Sequence, residues 1–274
     1  MFVIENCTSL GASNMQLILE KIKIPTQRPY ISRPRLLALL KESLSSCTST
    51  IVNGRAGSGK TFLAADFARH CSRAVAWYKV DAPEGDLQVF FEYLIASIQR
   101  QRPDFGQSSL LRLLDTTDSN GTALLAEAFI FELLQGENKP LLIVIEDLHL
   151  ICDSPWVVSF FRRLLPLLPS DVHMLITSRT LPPAPLWRMR SKQTLAVIDE
   201  ACLAFTRQES IELFESYGLS REQASIALDH THGRAAALGN CAESLNQQGE
   251  NSSRLGFTAP ETRRHASVEA DGLP

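Results

Sequence analysis

The chain has 274 residues, enough for one large domain or for a domain with a small companion. Apolar residues make up 45% and charged residues 21%, the balance of a soluble globular protein. A net charge of −3 argues against a broad electrostatic footprint for nucleic acid and leaves room for a small local basic face.

The opening Met1-Phe2-Val3-Ile4-Glu5-Asn6 lacks the basic and apolar regions of a secretory signal, and no apolar run nears the ~20 residues of a membrane-spanning helix. Residues 1–25 read as a weakly patterned leader with one helical stretch expected over Met15–Ile22. Pro25, Pro29 and Pro34 punctuate an extended segment, and Pro34 then opens a helix with Ser32 or Arg33 near its cap. Beyond it, strands expected at 50–52, 74–80, 141–145, 173–177 and 195–198 alternate with helices at 61–70, 87–101, 122–135 and 156–165. Strand, helix, strand in repetition implies an α/β fold over 26–200, a mostly parallel sheet covered by helices. After residue 200 the strands stop. Thr206 with Glu209, and Ser220 with Gln223, each read as a capping box opening a helix, and a third helix is expected over Ala235–Asn246. These form a small helical subdomain at 201–246, followed by a polar tail, 247–274, expected to be disordered. The six cysteines are Cys7, Cys47, Cys71, Cys152, Cys202 and Cys241. They are scattered, without a C-x-x-C pair or a His at ligand spacing, and read as reduced thiols of a cytoplasmic protein.

Between the first strand and its helix lies Gly54-Arg55-Ala56-Gly57-Ser58-Gly59-Lys60-Thr61, a phosphate-binding loop pattern. A triphosphate must be wrapped by backbone N–H groups, which side chains at the glycines would obstruct. Lys60 would place its ammonium on the β- and γ-phosphates, Thr61 would offer its hydroxyl to Mg²⁺, and the following helix would point the positive end of its dipole at the anion. A second half of the site is read at Leu141-Leu142-Ile143-Val144-Ile145-Glu146-Asp147, an apolar strand ending in two acids at the carboxyl edge of the sheet. The acids are expected on opposite sides of the strand, Glu146 on the metal and Asp147 on the attacking water, with the reverse assignment left open. In Thr177-Ser178-Arg179 the hydroxyls would reach the phosphates and Arg179 would neutralise γ-phosphate charge. His149 receives no catalytic role, and Trp77 and Trp187 read as packing residues.

These segments together, over about residues 22–245, resemble the MalT-like group of LuxR-type bacterial transcription regulators, which are signal-transduction ATPases with numerous domains (STAND NTPases). Lys23-Ile24-Pro25 with Ser32-Arg33-Pro34-Arg35 resembles the family's opening segment, and Ile143 to Ile151 its Walker B segment. Leu175 to Arg179 with Pro182 and Leu186 to Arg190 resembles its sensor segment, and Thr231-His232-Gly233-Arg234-Ala235 its Gly-x-Pro motif. The resemblance implies a switch that is closed with ADP and opens and self-associates with ATP and an inducer, hydrolysis resetting it. Two positions depart from the pattern: Glu146 stands where Asp is usual, which bears on metal geometry and turnover, and Ala235 stands where Pro is usual, which bears on ADP retention. The family continues into sensor and helix-turn-helix domains, so the chain is expected to be a truncated or naturally short form without its own DNA-reading module, pairing with itself or with full-length relatives. A non-catalytic module that binds nucleotide structurally is the main alternative. A small-molecule P-loop kinase fits less well, because no Arg-rich lid or acceptor pocket is legible.

Overall fold

The computed structural model describes residues 4–5, 17–26, 31–107, 110–116, 121–135, 139–181, 183–192 and 194–255. Five parallel strands form the central sheet: β1 (Ser49–Asn53), β2 (Ala74–Lys79), β3 (Leu141–Glu146), β4 (Val172–Ser178) and β5 (Leu195–Ile198), in the order β2-β3-β4-β1-β5. Every residue of β3 and β4 is buried, as interior strands covered on both faces require. Because β4 lies between β1 and β3, the loop leaving β1 and the acids ending β3 stand two strand spacings apart, about 10 Å. The end of β4 bridges that gap: Gly54 N–H donates to Ser178 O (3.2 Å) and Asp147 N–H to Thr177 Oγ1 (3.0 Å).

The covering helices are α1 (Pro34–Ser46), α2 (Lys60–His70), α3 (Leu87–Gln99), α4 (Leu110–Thr116), α5 (Thr122–Gln135) and α6 (Pro155–Leu164), followed by the short α7 (Ala184–Trp187) and α8 (Glu200–Leu203). On one sheet face α3, α5 and α6 pack an aromatic core, with Phe91 and Phe160 edge to face at 4.9 Å. On the other, Leu36, Leu40, Leu63 and Phe67 from α1 and α2 meet Trp77, Leu142, Val144 and Leu175. Trp77 is thus a packing residue, as expected. The subdomain comprises α9 (Arg207–Ser216), α10 (Arg221–Thr231) and α11 (Ala235–Leu255), and both expected capping boxes form.

Three features differ from expectation. The leader is not helical at 17–22. Leu17–Ile18 pairs antiparallel with Ile4–Glu5, and Leu19–Ile22 forms a single 3₁₀ turn, while Met15 and Gln16 lie outside the described residues. Tertiary contacts override the local pattern: Leu17 and Ile22 enter the aromatic core, Ile18 N–H donates to Tyr93 Oη, and Lys21 is bonded to the buried Glu84. Helix α4 is an addition to the expected elements. Helix α11 runs past Asn246 to Leu255, through Gln247, Gln248 and Glu250, residues that favour helix once it is nucleated. The tail beyond 255 lies outside the described residues, as do Cys7, Pro29 and Pro182. Cys47, Cys71, Cys152, Cys202 and Cys241 are free thiols. Among the described residues no helix is long and apolar enough to cross a membrane.

Candidate functional site

The loop after β1 turns back on itself at two left-handed glycines, Gly57 (φ 77°) and Gly59 (φ 92°), and Gly59 caps the N-terminus of α2. Close approach makes a second demand there. A Cβ on Gly57 would stand 3.0 Å from Ala236 Cβ, and one on Gly59 3.2 Å from both Ala235 Cβ and Arg33 Nη2. The neighbour that presses on the phosphate loop is therefore the first turn of α11. Ala236 N–H donates to Gly57 O (2.9 Å), and the Arg234 guanidinium donates to Ala56 O.

Lys60 is 6% exposed, and its Nζ donates to Gly54 O (2.6 Å) and Arg55 O (3.0 Å). Burial lowers its pKa, against the pull of Asp147. Arg55 turns away from the loop centre, its backbone N–H and Nε both donating to the Glu200 carboxylate. Ser58 Oγ is buried without a partner.

Glu146 ends β3 at 2% exposure, and Thr61 Oγ1 donates to its Oε1. Burial raises its pKa, the Thr61 hydroxyl opposing. The chain does not continue as strand into Asp147. That residue adopts φ 60°, so the expected arrangement of two acids on opposite faces of one strand gives way to a sharp turn. The turn groups the acids differently: Glu146 stands with Thr61, whereas Asp147 Oδ1 lies 3.7 Å from His149 Nδ1 and 4.0 Å from Arg179 Nε. Burial lowers the His149 pKa, so its ring is neutral at pH 7. Of the two hydroxyls read as reaching phosphate, that of Ser178 donates to backbone, while that of Thr177 accepts and keeps its own proton. Thr177 accepts from Asp147 N–H, and Ser178 donates to Thr180 O (2.7 Å).

Four buried side-chain polar atoms lack a partner among the described residues: Asn53 Oδ1, Ser58 Oγ, Glu146 Oε2 and His149 Nδ1. All four belong to the end of β1 with its loop or to the end of β3 with its turn. Such atoms are rare in folded proteins, and their convergence marks a place built to meet an outside group. A carboxylate oxygen beside a threonine hydroxyl is a hard oxygen pair of the kind Mg²⁺ takes from protein, so Glu146 and Thr61 fit that ion.

The cavity here has a volume of about 220 Å³. Ala56, Gly57, Gly59, Lys60, Thr61, Asp147, Arg179 and Ala235 line it, Gly54, Arg55, Ser58 and Glu146 lie outside its lining, and Ile31, Arg33, Phe62, Asp66 and Phe205 add further walls. Arg33 is 6% exposed. Its guanidinium lies 4.6 Å from the Phe205 ring centroid, its Nη1 donates to Leu203 O (2.7 Å), and burial pulls its pKa to about 10, leaving it charged at neutral pH. Arg35 continues the contact, donating to Cys202 O, Ala204 O and the Glu209 carboxylate. The only sequence signal for Arg33 is its place in the opening segment that carries the family resemblance. Asp66 has no local signal.

The family model for the AAA ATPase domain matches residues 33–177. The chain is 30% identical to the HTH-type transcriptional regulator MalT of Cronobacter sakazakii, over 94% of this chain and 28% of that protein. It is 32% identical to the MalT of Serratia proteamaculans, over 84% of this chain and 25% of that protein. The chain thus spans about a quarter of the length of these curated relatives. Among solved structures it resembles a Walker-type ATPase of Pyrococcus abyssi (TM-score 0.51, 11% identity, 85% of this chain and 77% of that one). It also resembles a STAND protein with a tetratricopeptide repeat sensor from Pyrococcus horikoshii (TM-score 0.53, 18% identity, 79% of this chain and 30% of that one). At these identities the structural likeness shows the fold, that of a P-loop NTPase.

Proposed function

The chain belongs to the AAA ATPase domain family, and from that premise we propose that it is an ATP-binding switch module of MalT-like type that hydrolyses ATP slowly with Mg²⁺. One observation carries the switch reading. The carbonyls of Ala56 and Gly57, in the middle of the phosphate loop, are the acceptors on which Arg234 and the first turn of α11 are seated. A loop that reshapes around phosphate alters those acceptors, so occupancy of the loop is transmitted to the helical subdomain.

Lys60 trades the carbonyls of Gly54 and Arg55 for phosphate oxygens, a charge-assisted exchange. Thr61 and Glu146 would hold Mg²⁺, which when bound neutralises phosphate charge. Asp147 orients water near the terminal phosphate, and Arg179, whose side chain is half exposed at the cavity mouth, neutralises charge there. Slow turnover follows from the longer Glu146 at the metal position and from the single carboxylate left for the water. Ala235 offers a smaller surface to the nucleotide than the usual Pro, which weakens ADP retention. The module acts in the cytoplasm through self-association or pairing with relatives.

The test is titration with a fluorescent ATP analogue, with and without Mg²⁺, beside Lys60→Ala. Mg²⁺-dependent binding weakened by about tenfold or more in the variant is expected from the loss of a charged hydrogen-bond donor. Unchanged affinity in folded Lys60→Ala contradicts the reading.

A further inference from the structure

The cavity extends beyond the phosphate loop along one stripe of α2. Gly59, Phe62, Leu63 and Asp66 line it at the i, i+3, i+4, i+7 spacing of a single helical face. Asp66 lies six residues past Lys60, about 9 Å along the helix axis at 1.5 Å per residue. That offset matches the reach from the phosphates of a nucleotide to the far edge of its base. Ile31, Arg33 and Phe205 also line the cavity, apolar or stacking groups suited to the faces of a flat ring. Asp66 is 6% exposed, a buried carboxylate in a wall that otherwise presents apolar groups and the Arg33 donors.

The Asp66 bonds leave one acceptor direction open. Its Oδ2 accepts from Ser32 Oγ (2.7 Å). His70 Nδ1, on the exposed flank, lies 2.7 Å from the Asp66 backbone carbonyl and 3.3 Å from Oδ1. A carboxylate has about four lone-pair directions, so these partners leave acceptor capacity on Asp66, which lines the cavity. A carboxylate accepts hydrogen bonds rather than donating them. A base presenting an amino group there is favoured, and one presenting a carbonyl oxygen is repelled.

We propose that Asp66 is the specificity-determining residue for the base, accepting a hydrogen bond from the 6-amino group of adenine while Ser32 holds its other oxygen in place. The inference rests on the nucleotide-binding reading above and adds the base selectivity of that site. It orders three triphosphates that differ along the 6-position edge of the purine, where inosine also carries a proton on N1. ATP offers a donor, purine riboside triphosphate offers nothing, and inosine triphosphate offers an acceptor against the carboxylate.

The experiment measures the affinity of the whole chain for these three, in the wild type and in Asp66→Asn, which keeps the volume and can still accept from Ser32. The wild type is expected to bind in the order ATP, purine riboside triphosphate, inosine triphosphate, with at least about tenfold between first and last. In Asp66→Asn the amide can donate to a 6-oxo group, so the ratio of ATP to inosine triphosphate affinity falls by about tenfold or more. A structural role for Asp66 would weaken all three alike and leave that ratio unchanged, which overturns the proposal. Should the variant not fold, the wild type alone decides: equal binding of ATP and purine riboside triphosphate overturns the base contact while leaving the phosphate site standing. No binding of any of the three overturns the nucleotide reading itself.

Discussion

The sheet face covered by α3, α5 and α6 is packed by Phe90, Phe91, Phe129, Trp156, Phe160 and Phe161, each exposed by 3% or less. The core of the helical subdomain is instead built on Phe205, Leu213, Phe214 and Leu238, filled in with four alanines, Ala224, Ala227, Ala235 and Ala242. An aromatic side chain removes about 150–250 Å² from water, an alanine far less, so the body is secured by apolar burial that is lost only on unfolding. The subdomain is joined to the body by directional polar bonds, Arg35 to Glu209, Arg234 to Ala56 O and Ala236 N–H to Gly57 O, beside the packing of Ile31 and the stacking of Arg33 on Phe205. Such bonds contribute about 1 kcal/mol net each, because water replaces them on separation. The difference teaches where motion is inexpensive. The body keeps its shape, while the subdomain can leave the phosphate loop by exchanging a handful of hydrogen bonds with water.

The contrast is broken most strongly inside the body. Phe91→Ala should cost about 3–5 kcal/mol in urea denaturation, abolishing nucleotide binding along with stability. A second body substitution sharpens it through pH. His173 is 3% exposed, its Nε2 at 2.9 Å from Thr50 Oγ1 and its Nδ1 at 3.2 Å from Cys47 O, and burial holds its pKa at about 4 against an ordinary 6.5. The unfolded chain therefore takes up this proton first as pH falls. The stabilisation is complete above pH 6.5 and is lost between 6.5 and 4, about 3 kcal/mol in all. Urea titrations at pH 7, 5 and 4 should show that loss in the wild type and not in His173→Gln.

At the junction, Gly233 has φ 73°, and a Cβ there would stand 2.8 Å from Phe205 O. Gly233→Ala should add about 1–3 kcal/mol of local strain. It should raise proteolysis after residue 200 and change nucleotide affinity, with the body's unfolding midpoint nearly unmoved. A body that unfolds with it would show that the two regions are one cooperative unit. The smallest effect is expected at Arg55 and Glu200, whose side chains are 80% and 35% exposed. Arg55→Ala should change stability by less than about 1 kcal/mol, and that remainder should shrink further in high salt.

What the sequence made legible was local. The phosphate loop, the acids at the end of β3 and the capping boxes of α9 and α10 each depend on residues within one or two turns. The five sheet strands were placed to within one or two residues because continuous apolar runs leave few alternatives. What escaped was assembled from distant parts. The cavity joins Ile31 and Arg33, Asp66, and Phe205, three stretches far apart in the chain whose meeting no periodicity announces. The leader's strand pair depends on Tyr93 and Glu84, and the turn that parts Glu146 from Asp147 depends on a left-handed residue that strand alternation cannot foresee. The phosphate loop is thus written in a motif, and the cavity walls beside it and the contact with α11 are written in packing.

On the proposed function, the phosphate loop holds the first turn of α11 and the nucleotide state decides whether it does. Amide hydrogen exchange over residues 234–238, with ADP and with a non-hydrolysable ATP analogue plus Mg²⁺, tests it most directly. The account predicts a slow Ala236 amide with ADP and exchange faster by at least about tenfold with the ATP analogue, while β3 and β4 stay equally protected in both. Equal protection of Ala236 in both complexes, with both nucleotides bound, would contradict it.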